Sequence, residues 1–155
     1  MLVSDRIDYI SNWIQDYASK NNLNLVVGVS GGVDSAVTSA LCAKTNIKTI
    51  VVSMPIRQNL NQHNLSLVHI NWLKSNFKNV TGYTINLDNI FKTFQETMIG
   101  FDSELAFANS RSRLRMTTLY QIAQSNNALV VGTGNKVEDF GIGFYTKYGD
   151  GGVDI

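Results

Sequence analysis

Eight residues limit this chain more than any others. The apolar run Leu25-Val26-Val27-Gly28-Val29 leads into Gly28-Val-Ser-Gly-Gly-Val-Asp-Ser35, and a helix rich in small residues follows over Val33–Lys44. An apolar run of this length is typical of a strand buried on both faces of a parallel sheet. Ligands of open α/β sheets bind beyond the carboxyl ends of the strands, where this loop sits. Two adjacent glycines, Gly31 and Gly32, let the backbone approach an anion without interference from a Cβ. Amides of the loop and of the helix N-terminus then converge on one spot, which suits a phosphate. Ser30 and Ser35 can add hydroxyl donors. Asp34 would repel a phosphate unless a cation intervened, so its presence predicts magnesium bridging to phosphate oxygens. Two commoner phosphate loops are excluded. There is no Lys for G-x-x-x-x-G-K-[ST], and the G-x-G-x-x-G spacing is absent. The plainer alternative is an SGG turn with Asp34 as a helix cap.

The rest of the chain alternates strands with helices. Ser4 is the expected N-cap of a first helix whose Ile7, Ile10, Ile14, Tyr17 and Ala18 recur at helical spacing, ending near Asn21–Asn22. Ala36, Val37, Ala40, Leu41 and Ala43 suit the second helix to close packing on a sheet. Lys48–Met54 reads as a second strand, closed by Pro55. Leu60–Asn76 reads as a helix with Leu65, Val68, Trp72 and Leu73 toward the core. Val80–Asn86 is a third strand and Asp88–Met98 a short helix. Ser103–Ser125 is a long helix carrying Arg111, Arg113 and Arg115, and Ala128–Gly132 is a fourth strand. This alternation predicts right-handed crossovers and a three-layer α/β sandwich with a mostly parallel, Rossmann-like sheet. A chain of 155 residues without repeat or linker is read as one domain, 1–155.

Composition excludes several classes. A hydrophobic fraction of 44% rules out a disordered tail. Thirteen basic against 12 acidic residues leave a net charge of +1, without the basic excess usual in nucleic-acid binders, so no nucleic-acid partner is expected. One cysteine, Cys42, precludes an internal disulfide and a cysteine-based zinc site, and His63 and His69 are poorly spaced for one metal on one helix face. The N-terminus does not read as a signal peptide, and no apolar run approaches the ~18 residues of a membrane span. A cytoplasmic protein without a membrane partner is expected.

Three later segments carry chemistry. In Arg111-Ser-Arg113-Leu-Arg115-Met116, Arg111 and Arg115 share one helix face and Arg113 lies roughly opposite. At least one can aim at an anion, unless all three form a solvated ladder. Val131-Gly-Thr133-Gly-Asn-Lys-Val-Glu138 leaves the fourth strand at the same end as the first loop. Glu138 there is a second carboxylate for magnesium, or else a helix cap with Gly134 or Asn135. In Thr146-Lys147-Tyr-Gly-Asp150-Gly-Gly-Val-Asp154, Lys147 offers a cation and Asp150 and Asp154 offer carboxylates, while Phe144 and Tyr145 offer flat surfaces for a ring. Five glycines among residues 141–152 suggest a mobile lid.

The SGGVDS loop, Ser30–Ser35, resembles the SGGxDS loop of the ATP pyrophosphatase, or PP-loop, family. In that family it holds the β,γ-pyrophosphate of ATP while the α-phosphate is attacked. The order RLRM (Arg113–Met116), VVGTGNKVE (Val130–Glu138) and FYTKYGDGGVD (Phe144–Asp154) is similar to the ammonia-dependent NAD synthetases of that family, from the first helix to Ile155. The resemblance implies an adenine nucleotide alpha-hydrolase-like fold. It also implies ATP-dependent amidation of deamido-NAD to NAD with ammonia, through an adenylated nicotinate, with release of pyrophosphate and AMP.

By the same resemblance, Gly28, Val29, Ser30, Gly31, Gly32, Val33, Asp34, Ser35 and Thr133 would bind ATP, and Asp34 and Glu138 would hold Mg2+. Arg113, Lys147 and Asp154 would bind deamido-NAD. Lys147 and Asp150 would be catalytic, Asp150 taking a proton from ammonium. The resemblance further implies a homodimer, with the helix from Ser103 as interface element, and a further C-terminal segment that this chain lacks. Two other classes stay open: a non-catalytic ATP-binding module or truncated inactive synthetase, and a PP-loop tRNA-modifying enzyme.

Overall fold

A computed structural model describes residues 2–155. Four parallel strands, β1 (Asn24–Gly28), β2 (Thr49–Ser53), β3 (Val80–Thr84) and β4 (Ala128–Val131), form one sheet in the order β3-β2-β1-β4. The register sets Val26 beside Ile50 on one side and Val130 on the other. The chain lays strands outward from β1 to β3, then returns to place β4 against the free side of β1. That reversal opens a crevice beyond the carboxyl ends of β1 and β4.

Five helices complete the layers: α1 (Val3–Lys20), α2 (Val33–Lys44), α3 (Leu60–Asn76), α4 (Asp88–Thr97) and α5 (Glu104–Ser125). Side chains alternate across the sheet with period two. Leu25, Val27, Val29 and Val51 pack with Ile14, Ala18, Cys42, Ala43, Ile70 and Leu73 of α1, α2 and α3. Val26, Ile50, Val52 and Val130 pack with Phe91 of α4 and with Met116, Leu119 and Ala123 of α5. Burying a side chain such as Phe91 contributes about 1.5–3 kcal/mol. The three-layer, parallel α/β expectation therefore holds. No helix among the described residues is long and apolar enough to cross a membrane.

Several details differ from the sequence expectations. The N-cap of α1 is Leu2, not Ser4, because the Asp5 carboxylate accepts the Leu2 amide at 3.0 Å and starts the helix earlier. The buried residues of α1 are Ser11, Ile14 and Ala18, while Ile10 and Tyr17 are exposed. This helix packs mainly on α2 rather than on the sheet, so only a narrow stripe is covered. In α3 the buried residues are Ser66, Ile70 and Leu73, and Leu65, Val68 and Trp72 face outward. Ser66 occupies the inward side because its hydroxyl meets Ser53 Oγ at 2.8 Å and donates to the His63 carbonyl at 2.7 Å. Val37 of α2 is likewise exposed.

Candidate functional site

The turn between β1 and α2 is built from its own serines. The Ser35 hydroxyl accepts the Ser30 amide at 3.2 Å and donates to the Gly32 carbonyl at 3.0 Å, and the Ser30 hydroxyl accepts the Gly32 amide at 3.2 Å. Ser35 is buried, so its hydroxyl shapes the turn from within. Gly31 has a φ of +91°, and a Cβ there would collide with the Gln62 carbonyl of α3. Both facts require glycine. Gln58 Nε2 donates to the Ser30 carbonyl at 2.7 Å and ties the turn to the loop after β2. No side chain caps α2, so Asp34 is not its cap, and the amides that open the helix remain available to an anion.

Beside this turn lies a cleft of about 350 Å³. Gly28, Val29, Ser30, Thr133 and Asp150 line it, all named by the sequence reading, along with Gln58, Ser112 and Arg115, which that reading did not assign. Gly31–Ser35 form the adjoining turn. Arg113, Lys147, Asp154 and Glu138 stand outside the cleft lining.

Each arginine of α5 has a partner, so they do not form a solvated ladder. Arg111 lies over the Phe91 ring, 5.7 Å from its centroid. Arg113 is exposed and its Nε donates to the Lys147 carbonyl at 3.0 Å. Arg115 is the one that faces the cleft, and its Nε donates to the Met54 carbonyl at 3.0 Å. Burial, and secondarily the charge of Arg111, press its guanidinium below the usual range. It still stays charged near neutral pH. It makes no ion pair among the described residues. A half-buried cation left unpaired is costly, and an anion in the cleft would relieve that cost. The signal was present in the sequence: Ser112, Arg115, Met116 and Leu119 follow the i, i+3, i+4, i+7 spacing of one face. Gln58 carries no comparable signal, because only the tertiary fold brings it to the turn, and the spacing that puts Ser112 on the cleft face does not reveal its bond to Asp150.

The glycine-rich segment divides in two. Thr146–Gly152 is docked on α5. Thr146 donates from its hydroxyl to Asn109 Oδ1 at 3.0 Å, and Asp150 Oδ1 accepts the Ser112 hydroxyl at 2.7 Å and the Thr146 amide at 2.9 Å. Gly149 is buried, and a Cβ there would strike the Ser112 side chain, so the position needs glycine. Residues 140–145 are exposed and make up the part that suits a lid. Lys147 lies over the Tyr148 ring, 5.0 Å from its centroid.

Asp154 is held structurally. Its Oδ2 accepts the Val130 amide at 2.8 Å and its Oδ1 accepts the Tyr120 hydroxyl at 3.1 Å. Burial, then the hydrogen bond and charge of Asp154, raise the Tyr120 phenol. Ile155 lies between the Val130 carbonyl and the Gly132 amide, the bonding pattern of a parallel strand neighbour.

Asn135 links the Asp34 carboxylate to the backbone that carries Glu138. Its Nδ2 donates to Asp34 Oδ2 at 3.4 Å, and its Oδ1 accepts the amides of Val137 and Glu138 at 3.1 and 3.0 Å. Asn135 thus starts the wide helical turn Val137–Ile142, leaving the Glu138 carboxylate without a capping role. No cluster of three or more metal-ligating residues occurs among the described residues. One or two hard carboxylates beside an anion-accepting turn fit magnesium, which binds through few carboxylates and completes its shell with phosphate oxygens and water.

Comparison with known proteins gives the lineage. The family model described as NAD synthase matches residues 6–155. The NH(3)-dependent NAD(+) synthetase of Mesoplasma florum is 35% identical over 161 residues, covering 100% of this chain and 63% of that protein. Among solved structures, NMN synthetase from Francisella tularensis superposes with a TM-score of 0.90 at 32% identity, covering 100% of this chain and 63% of that one. The NH3-dependent NAD synthetase of Campylobacter jejuni, in complex with the nitrate ion, superposes at 0.88 with 26% identity, covering 99% and 66%. The chain therefore spans a little under two thirds of the length of these relatives. A glycine turn between β1 and α2, a cleft at the strand reversal and a match over nearly its whole length together establish that this chain belongs to the NAD synthase family.

Proposed function

We propose that this chain carries the ATP-binding and adenylating part of a cytoplasmic, ammonia-dependent NAD synthetase. The observation that supports it most is the turn at Ser30–Ser35, whose uncapped helix amides adjoin a cleft lined by one unpaired cation, Arg115. The amides of Gly31 and of Val33–Ser35 bind the outer phosphates of ATP, and Thr133 adds a contact from the loop after β4. Arg115 offsets negative charge on the phosphates from the opposite wall. Asp34 and Glu138 would hold magnesium. Bound there, the ion would neutralise charge on the phosphate oxygens as pyrophosphate leaves.

The nicotinate carboxylate of deamido-NAD attacks the α-phosphate, forming an acyl–O–P bond as the bond to pyrophosphate breaks. Asp150 accepts a proton from ammonium. The freed ammonia adds to the acyl carbon, and AMP leaves with the electron pair of the broken C–O bond, its phosphate taking the second proton from nitrogen. Arg113 and Lys147, joined through the Lys147 carbonyl, and Asp154 bind the dinucleotide acid. Lys147 also stabilises developing negative charge. The protein works as a homodimer. The exposed Ile99 and Phe101, in the segment before α5, and Leu105 in its first turn support an interface there.

A second reading is favoured by the name of the Francisella tularensis neighbour: the acid amidated is a mononucleotide rather than a dinucleotide. Thiolation of tRNA is disfavoured by Cys42, the only cysteine, which is buried with its thiol pushed up to about 12.

The test is ATP–pyrophosphate exchange and amide formation by the complete protein, with deamido-NAD and the mononucleotide acid offered separately. Deamido-NAD is expected to support both, and Asp34→Ala to abolish both. Exchange with neither acid would leave a nucleotide-binding module, and preference for the smaller acid would establish the second reading.

A further inference from the structure

Asp150 does not stand free at the cleft. Its Oδ1 accepts the Ser112 hydroxyl at 2.7 Å and the Thr146 amide at 2.9 Å, and the Ser112 oxygen in return accepts the Asp150 amide at 3.0 Å. One hydroxyl thus fixes both the backbone and the carboxylate of the same residue. Ser112 and Asp150 both line the cleft. With Oδ1 occupied by two donors, Oδ2 is the oxygen that has no protein partner among the described residues.

We propose that Ser112 is a positioning residue for the ammonia step: it holds Asp150 so that Oδ2 meets the incoming ammonium. This rests on the synthetase reading above. The first proton passes from ammonium nitrogen to Oδ2, and the nitrogen lone pair so released forms the C–N bond; the C–O bond to AMP then breaks, and the departing AMP phosphate takes the second proton from nitrogen, leaving the neutral amide. Without the hydroxyl, Oδ1 loses a short charge-assisted bond and the Asp150 amide loses its acceptor. The carboxylate is then free to rotate away. The proximity of Gly149 strengthens the assignment, since only a residue without a Cβ lets the loop come this close to Ser112.

The experiment compares Ser112→Ala, Asp150→Asn and the double variant in the complete protein. Two readouts are taken on each: ATP–pyrophosphate exchange, which precedes ammonia, and the ammonium dependence of NAD formation. For Ser112→Ala the expected result is a rise of about tenfold or more in KM for ammonium, the scale of a lost hydrogen bond to a charged group, with exchange changed by less than about threefold. In the Asp150→Asn background the same substitution adds nothing further, because both act through one group. Equal loss in both readouts, unaltered ammonium dependence, or effects that add in the double variant would each overturn the proposal. Failure of the unsubstituted protein to make NAD would instead remove the reading on which it rests.

Discussion

The turn at Ser30–Ser35 and the loop at Thr146–Gly152 reach the same cleft, and both depend on glycine, yet they are held in different ways. In the first, Gly31 sits at positive φ against a backbone carbonyl of α3, and buried Ser35 closes the turn on itself. In the second, Gly149 has ordinary φ and is crowded by side chains of Ser112 and Thr146. A backbone obstacle cannot move without moving α3, whereas at Gly149 the Ser112 hydroxyl can turn aside and the loop itself must give way to the Ser112 Cβ. The first region is thus a fixed receptor for the group common to every turnover, and the second can be displaced as substrates enter and leave.

Substituting each glycine separates these two kinds of support. Gly31→Ala faces both unfavourable φ and the Gln62 carbonyl, and is expected to lower stability by about 1–3 kcal/mol and to remove nucleotide binding. Gly149→Ala, at ordinary φ and in a loop that can shift from α5, is expected to cost less stability than Gly31→Ala, to leave nucleotide affinity within a few fold and to weaken the ammonia step. Thermal unfolding and nucleotide titration of the pair provide the check. Equal losses in both variants would mean the two regions are not held differently.

A smaller effect lies behind the first region. His69 Nε2 meets Ser39 Oγ at 2.9 Å, one turn below the loop on α2, and the ring stacks on Trp72. Burial lowers its pKa, opposed by a hydrogen bond to Ala36. The folded state thus favours neutral His69, so its contribution is complete above the unfolded pKa of ~6.5 and is lost as pH falls through the lower, folded value. Denaturation midpoints at pH 8 and pH 5.5 are expected to differ slightly more in the native protein than in His69→Gln. No difference between the two proteins would remove His69 from the support of α2.

The strand and loop residues were the legible part of the sequence. Buried parallel strands are continuous apolar runs, and a glycine pair before a helix has few other uses. Helix faces were less legible. Leu65, Val68 and Trp72 have helical spacing but point outward, because Ser66 satisfies its hydroxyl internally and takes the covered side. Among the candidate site residues, Ser30, Thr133 and Asp150 line the cleft. Asp154 was legible as a carboxylate but not as the group that binds the Val130 amide and the Tyr120 hydroxyl. Arg115 could be placed from its neighbours on α5. Ser112 shares that face, but its role was not legible, since its partner is thirty-eight positions away.

The most direct measurement is a crystal structure with a non-hydrolysable ATP analogue and magnesium. The β- and γ-phosphates are expected on the amides of Gly31 and Val33–Ser35, with the cation at Asp34. Triphosphate bound elsewhere, with that turn vacant, would contradict the account.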